Sequence, residues 1–405
     1  MQVEEVRSFV GNRVDELFDK VWEISADIHA HPEVAFEEQR TSEVLRRALE
    51  GCGFEVEIPW KDLPTAFVAR HATGDGPRIA LFAELDALPE LGHACGHNLI
   101  MTTALMAGVV AKEAMDRFGI SGSIEVFGTP AEEDGGGKII MLEEGAFDGV
   151  DAVYLMHPTS AMTRIGGICT SFTGASITFT GRAAHAESHP EEGINAMDAA
   201  TLFHQAIGLA RQQLPDDVHV CEVITSMSND IGRIPAEAKL EVEVSSTTGS
   251  HVEPAMEVVR RVAKGVAIAT GCEYELEEER GYLGRVPNAV LGDVCRAELE
   301  AFGEPVMEGM PGDKGGEDLG NVSRVIPSCN VFGTILPERK ISGHTPEFRE
   351  LAISDNAKHC LRVNSKAIAM SSLVLMDDSA ANPDGSLIAL AKNELARRMA
   401  EEGAA

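Results

Sequence analysis

Four stretches of this sequence concentrate side chains able to bind cations and move protons. Residues 84–98 read ELDALPELGHACGHN, with Cys95 and His97 two positions apart. A thiolate and an imidazole in a strand-to-helix turn can ligate one soft or borderline cation. Alone the pair is weak, because histidines around a glycine-bearing turn are more often structural. Asp86 can orient a ligand histidine by accepting its ring N–H, or it can simply cap the turn. Residues 128–138 read GTPAEEDGGGK, in which Glu132 and Glu133 follow the strand-like run IEVF. Adjacent carboxylates usually form a solvated charge pair. In a turn they can divide the labour, one holding a metal and the other reaching its water as general base. The glycines at 135–137 lack the P-loop spacing and suit a close backbone approach instead. His157 ends YLMH, and His344 stands in SGHTPEF. A lone histidine usually means packing or a surface position. Here three successive apolar runs each end in a candidate ligand: Cys95 with His97, Glu132 with Glu133, then His157. One cysteine, three histidines and a glutamate suit one or two divalent ions, with zinc, manganese and cobalt all acceptable.

The elements that must position these groups alternate. Apolar residues recur at helical spacing over 6–28 and 42–49, and glycines at 51 and 53 end the second helix. Segments 66–70 and 79–84 read as buried strands, 99–115 as a helix, 124–128 as a strand, 138–144 as a helix and 152–156 as a strand. That order predicts an α/β fold whose parallel or mixed sheet is flanked by helices. The candidate ligands then lie past the C-terminal strand ends, where such sheets usually place their sites. The pattern changes near residue 172. Segments 176–180, 239–244 (KLEVEV) and 273–278 alternate, and 194–213 and 252–270 are amphipathic helices. One sheet with two helices predicts an inserted α+β, ferredoxin-like domain. The expected division is a discontinuous catalytic metal-binding domain, 1–172 and 286–405, interrupted by residues 173–285.

Composition narrows the function. The 405 residues allow two or three domains, and 44% hydrophobic with 24% charged residues is ordinary for a globular chain. Lys and Arg number 34 against 65 Asp and Glu, a formal net charge of −31. So acidic a chain repels phosphate backbones and anionic membrane surfaces, and a small-molecule substrate is expected rather than nucleic acid or membrane. No apolar run approaches the roughly 20 residues of a membrane span. The N-terminus is an acidic helix pattern unlike a signal peptide, so the cytoplasm is the expected compartment. Eight cysteines include no CxxC pair, and disulfides are not expected.

Further stretches widen the pattern: HAHPEVAFEE (29–38), FTGRAAHAESHPEEGINAMDA (179–199), GEDLGNVSRVIPS (316–328) and GHTPEF (343–348). With DALPELGHACGHNLI and GTPAEEDGGGK they span nearly the whole chain. In this combination and order the sequence resembles the aminoacylase/carboxypeptidase-type dinuclear metallopeptidase family. Within it the match is to the amidohydrolase branch of auxin–amino acid hydrolases, aminobenzoyl-glutamate hydrolase and β-alanyl-lysine dipeptidase-like proteins. The resemblance implies a metallopeptidase-type catalytic domain holding one or two divalent ions, manganese or zinc first, with cobalt acceptable. It implies Cys95 as the bridging ligand, with His97, Glu133, His157 and His344 completing the set. Glu132 would be the general base and then acid, and Asp86 would steady a ligand histidine. The insertion would be a lid that also dimerises, giving a homodimer or higher homo-oligomer. His185 would reach a neighbouring subunit's site and stabilise the oxyanion.

One part of the pattern departs. Lids of this kind carry an Asn before Ile-Pro and an Arg at the end of the next strand, which hold the substrate's α-carboxylate. In IGRIPAEAKLEVEVSS (231–246), Gly232 takes the first place and Ser245 or Ser246 the second. Losing a bidentate guanidinium is not a neutral change, and Arg233 is the candidate replacement. A relative of similar framework, nitroanthranilate aminohydrolase, replaces an aromatic amine with hydroxyl. The expected activity is therefore metal-dependent hydrolysis of a C–N bond, first the amide of an N-acyl amino acid or unusual dipeptide. The alternative is hydrolytic deamination of an electron-poor aromatic amine. A non-catalytic binding role would need a missing ligand or base, and none is missing.

Overall fold

The computed structural model describes residues 2–228, 230–381 and 385–403. The chain opens with α1 (Val3–Ala30) and α2 (Gln39–Gly51). Helix α1 buries Val6, Val10, Val14, Phe18, Val21 and Ile28, a stripe at helical spacing. There follow β1 (Glu55–Glu57), β2 (Phe67–Ala72), β3 (Arg78–Glu84), α3 (His97–Phe118), β4 (Ser123–Thr129), α4 (Gly137–Glu143), β5 (Ala152–Thr159) and β6 (Arg164–Ile165). Next come β7 (Ser171–Thr180), α5 (Ala196–Ala210), β8 (Val218–Ser226), β9 (Glu237–Ser246), α6 (Val252–Thr270) and β10 (Glu273–Glu278). The chain closes with α7 (Ala289–Ala301), α8 (Leu319–Ser323), β11 (Ser328–Thr334), α9 (Pro346–Leu351), α10 (Asp355–Ala381) and α11 (Leu387–Gly403). Two compact units result. One holds Met1–Ile168, Arg285–Asp313 and Glu317–Ala400, and the other holds Cys169–Gly284 with Lys314–Gly316.

In the first unit a seven-stranded mixed sheet runs β1-β2-β4-β3-β5-β11-β6. Strands β4, β3, β5 and β11 are parallel, and antiparallel pairings bring β2, β1 and β6 to its margins. Both faces are covered, so β3 reads as an unbroken apolar run. Ile79, Leu81 and Ala83 join a core with α1, α3 and α10, while Ala80 and Phe82 join another with Phe127 and Phe147. Register sets Glu84 beside Thr129, and parallel pairing brings the C-terminal ends of β3, β4 and β5 out on the same side.

The second unit follows the order βαββαβ, with a four-stranded antiparallel sheet β10-β7-β9-β8, the ferredoxin-like arrangement. Ile177, Phe179 and Leu240 of the sheet pack with Phe203 of α5 and Val259 of α6. Asn195 caps α5 by accepting from the Met197 N–H, so that helix starts after residue 195 rather than at 194. Strand β8 is the element that sequence reading passes over. It is a margin strand: Val220 is its only buried residue, Val218 and Ile224 are partly buried against the same core, and Glu222 interrupts the apolar alternation on that face.

Asp217 ties the end of β9 to the start of α6. Its carboxylate accepts from Ser246 Oγ (2.7 Å) and Thr248 N (3.1 Å), and His251 Nδ1 lies 2.8 Å away. Burial would raise this carboxyl, but the bonds from Ser246, Thr248 and His251 hold it well below the usual range. A depressed native pKa contributes stability above the unfolded value, about 3.9, and loses it as pH falls further. Asp217→Asn is expected to cost about 1 kcal/mol at pH 7, after allowance for solvent screening. The gap from the parent should shrink below about pH 4 as the parent's own carboxylate protonates. Denaturation curves at the two pH values check this, and a gap independent of pH would contradict it.

Five of the eight cysteines are buried. Among the described residues, no helix is long and apolar enough to cross a membrane.

Candidate metal centre

Strand β3 ends at Glu84, and the chain then loops through Asp86 and Cys95 into α3, which begins at His97. Gly96 makes the approach possible. Its φ is +81°, and a Cβ there would meet Pro158 Cγ at 2.4 Å. Cys95 Sγ thereby lies 3.3 Å from His157 Nε2 at the end of β5. His157 Nδ1–H donates to the Pro158 carbonyl at 2.8 Å, which leaves Nε2 as a lone-pair donor. His97 behaves alike: Nδ1–H donates to the Asp86 carbonyl at 2.8 Å, with Asp86 Oδ1 3.3 Å away. His97 Nε2 then faces Glu84 Oε2 at 3.4 Å, Glu133 Oε1 at 3.6 Å and Glu132 Oε2 at 3.8 Å.

The turn after β4 is braced from two directions. Asp86 Oδ2 accepts from Glu133 N at 2.9 Å, so one carboxylate touches both the His97 ring and the Glu133 backbone. Buried Glu38 accepts from Ala131 N at 2.9 Å, Phe36 N at 3.0 Å and Thr65 Oγ1 at 2.8 Å. Ala131 sits at φ +56°, a left-handed conformation that such anchoring sustains. At Gly137 a Cβ would lie 1.9 Å from the Pro130 carbonyl oxygen, so the glycine run lets the turn close on itself. His344 arrives from far along the chain. Its N–H donates to the Ala94 carbonyl at 3.0 Å, and its Nε2 is 3.4 Å from Glu133 Oε2.

Among the described residues, three groups of donor atoms are each gathered within 4.8 Å: Cys95–His97–His157, Cys95–Glu133–His344 and Glu84–His97–Glu132. Cys95 belongs to two of them. Burial, with Glu133 beside it, pushes the Cys95 thiol well up. Burial, Glu84 and Glu133 likewise push the Glu132 carboxyl up. Burial opposes ionisation of Glu133, but the bond from His344 keeps its carboxyl low, and the same bond raises His344. Burial lowers His157, whereas Asp86, Cys95 and Glu84 overcome burial at His97 and raise it. Glu84 Oε2, Asp86 Oδ1, His97 Nε2 and Glu133 Oε1 are buried without a hydrogen-bond partner. Orphaned buried polar atoms are costly. A cation among Glu84, His97 and Glu133 satisfies three of them, and thiolate, imidazole and carboxylate together fit a borderline divalent ion.

Sequence alone does not single out Glu84, Glu38, Lys138 or Asp318. Lys138 is fully buried, with Nζ 2.7 Å from Glu84 Oε1 and 2.5 Å from Asp318 Oδ1. Its backbone N–H also donates to Asp318 Oδ2 at 2.9 Å. Burial lifts Asp318 to about 6 against the pull of Lys138, while Asp318 and Glu84 overcome burial and hold Lys138 charged. Lys138→Met strips the counter-charge from two buried carboxylates. It is expected to destabilise the metal-free protein by about 3–5 kcal/mol. Chemical denaturation measures this, and parent-like stability would contradict the triad.

His185 and Arg233 lie in the second unit. They face each other as an isolated antiparallel bridge, with Ala186 N–H donating to the Gly232 carbonyl at 3.0 Å. His185 Nδ1 accepts from Glu187 N (3.3 Å) and Ser188 N (3.2 Å), so its proton sits on Nε2. The Arg233 side chain is 61% exposed. Of the two serines at the clamp position, Ser246 is committed to Asp217, while Ser245 lies between Phe172 and His219 in the sheet.

Parallel strands ending in groups that could hold a cation, with a ferredoxin-like unit inserted in the chain, match what the resemblance to metallopeptidases implies. Residues 80–366 match the profile of peptidase family M20/M25/M40, and the chain belongs to that family. It is a metal-dependent hydrolase acting on C–N bonds. Xaa-Arg dipeptidase of Mus musculus is 32% identical over 92% of this chain and 89% of its own length. A p-aminobenzoyl-glutamate hydrolase component from Escherichia coli strain K12 is 30% identical over 75% of this chain and 66% of its own length. A dinuclear metal-binding peptidase of the family from Bacillus subtilis shares the fold, with a TM-score of 0.69 at 23% identity, covering 90% of this chain and 99% of that one.

Proposed function

We propose that this enzyme hydrolyses the amide bond of an N-acyl amino acid or an unusual dipeptide. In this reading Cys95, His97, Glu133, His157 and His344 hold one or two divalent ions, manganese or zinc. The observation that carries it is Cys95, whose sulfur is common to two donor groups while Glu132 stands next to them. A divalent ion bound by these residues would polarise the substrate carbonyl and acidify water. Glu132 takes a proton from the attacking water and delivers it to the departing nitrogen. A C–O bond forms, the C–N bond breaks, and a carboxylate and an amine leave. A carboxyl raised by burial and by Glu84 and Glu133 suits both halves of that transfer.

His185, protonated on Nε2, donates to the carbonyl oxygen as negative charge builds there. It does so from a neighbouring subunit, in a cytoplasmic homodimer or larger homo-oligomer joined through the second unit, which acts as lid. Arg233, on the loop facing His185, receives the α-carboxylate that Gly232 and Ser245 or Ser246 cannot clamp. Relatives named for Xaa-Arg and for p-aminobenzoyl-glutamate support an acyl–amino acid amide as the target.

The altered clamp favours one second reading, deamination of an electron-poor aromatic amine, in which no α-amino carboxylate need be held. A substrate panel tests the choice. Purified enzyme supplied with manganese or zinc meets N-acyl amino acids, dipeptides and aminobenzoates, and products are read by mass spectrometry. Release of an amino acid supports amide hydrolysis. Ammonia with a hydroxybenzoate, and no amide cleaved, supports the second reading and overturns the first.

A further inference from the structure

Glu84 stands outside the five-residue ligand set, yet of the three carboxylates around His97 Nε2 its oxygen is the nearest, at 3.4 Å. It is 2% exposed, and its two oxygens are treated differently. Oε1 is 2.7 Å from Lys138 Nζ, whereas Oε2 has no hydrogen-bond partner and points toward the donor cluster. A buried carboxylate serving only as counter-ion to a lysine gains by satisfying both oxygens. Leaving one bare is costly unless a cation or donor arrives there. Position reinforces this. Glu84 is the last residue of β3, fixed by its register with Thr129, so its carboxylate is held by a rigid strand rather than a loop.

We propose that Glu84, fixed by Lys138 and Asp318, supplies a further oxygen donor to a divalent ion carried by His97. This rests on the metal-centre reading above and adds a residue to it. An extra carboxylate makes that position harder, so it favours manganese over zinc.

The test is calorimetric titration of the metal-stripped full chain with Mn²⁺ and separately with Zn²⁺, with bound metal counted by mass spectrometry. The proteins are the parent, Glu84→Gln, Glu84→Asp and, as a control on the reading itself, His157→Ala. Glu84→Asp keeps the charge beside Lys138 but draws the carboxylate back, so it separates metal contact from folding. Melting curves of the metal-free proteins report stability independently. The expected result is Mn²⁺ binding weakened at least about 10-fold in both Glu84 variants, a loss that even an outer partner of a ligand can cause, with a smaller loss for Zn²⁺. Parent-like Mn²⁺ affinity and stoichiometry in both, alongside metal loss in His157→Ala, would overturn the Glu84 proposal alone and leave it the counter-ion of Lys138. A parent protein that takes up neither ion would overturn the metal-centre reading and this proposal together.

Discussion

Glu132→Gln is expected to reduce kcat by at least about 10²–10⁴-fold, the usual worth of a positioned general base, while metal content stays near that of the parent. The amide has the shape of the carboxylate but cannot accept the water proton or return it to the leaving nitrogen. Glu132 and Glu133 are adjacent, and the turn after β4 gives them different neighbours. Glu133 is tied to Asp86 through its backbone N–H and lies 3.4 Å from His344, whereas Glu132 Oε2 stands 3.8 Å from His97 Nε2. Removing the charge at Glu132 should therefore leave the donors of Cys95, His97, His157, Glu133 and His344 in place. Turnover and metal counts on the same preparation check both halves. Parent-like turnover in Glu132→Gln would remove it as the base, and a parallel loss of metal would recast it as a ligand.

His97→Ala is expected to lower metal content and rate together, weakening binding by well over about 10–100-fold, the range that loss of an outer partner alone produces. His97 Nε2 serves two donor groups, and its Nδ1 engages Asp86, which in turn holds Glu133 N. One truncation thus removes a donor and loosens the brace on another. Excess Mn²⁺ should restore part of the activity if the remaining donors still assemble. Circular dichroism of the variant guards against plain unfolding. Unchanged metal occupancy in a folded variant would exclude His97 as a ligand.

The framework of the first unit was legible because its signals are local. Buried strands such as 79–84 and 124–128 are short, mostly apolar runs, and each ends in polar residues just where a parallel sheet opens. The cluster beneath His97 was not legible. Glu84 reads as the terminal residue of a strand, and Lys138 as the end of a glycine run. Asp318 lies 180 positions from Lys138, and only the closed fold brings that pair together. Glu38 was hidden for the same reason, since its anchoring of Ala131 crosses 93 positions. In the inserted segment the α/β alternation was plain, but the core face of β8 carries Glu222 between Val220 and Ile224, which breaks the apolar alternation, and only Val220 is buried. The nearness of His185 to Arg233 depends on two loops pairing through a single bridge, which no periodicity announces. Sequence placed the insertion at 173–285. The contacts divide the chain after Ile168 and Gly284, and they join Lys314–Gly316 to the second unit.

The central claim is that water attacks an amide carbonyl, with Glu132 moving the proton. Turnover of an N-acyl amino acid or dipeptide in oxygen-18 water, with manganese or zinc supplied, tests it most directly. The predicted result is heavy oxygen in the carboxylate of the released acyl product, none in the amine, and no labelled product from Glu132→Gln. Heavy oxygen in a new phenolic hydroxyl, with ammonia released from an aminobenzoate and amides left intact, would contradict it.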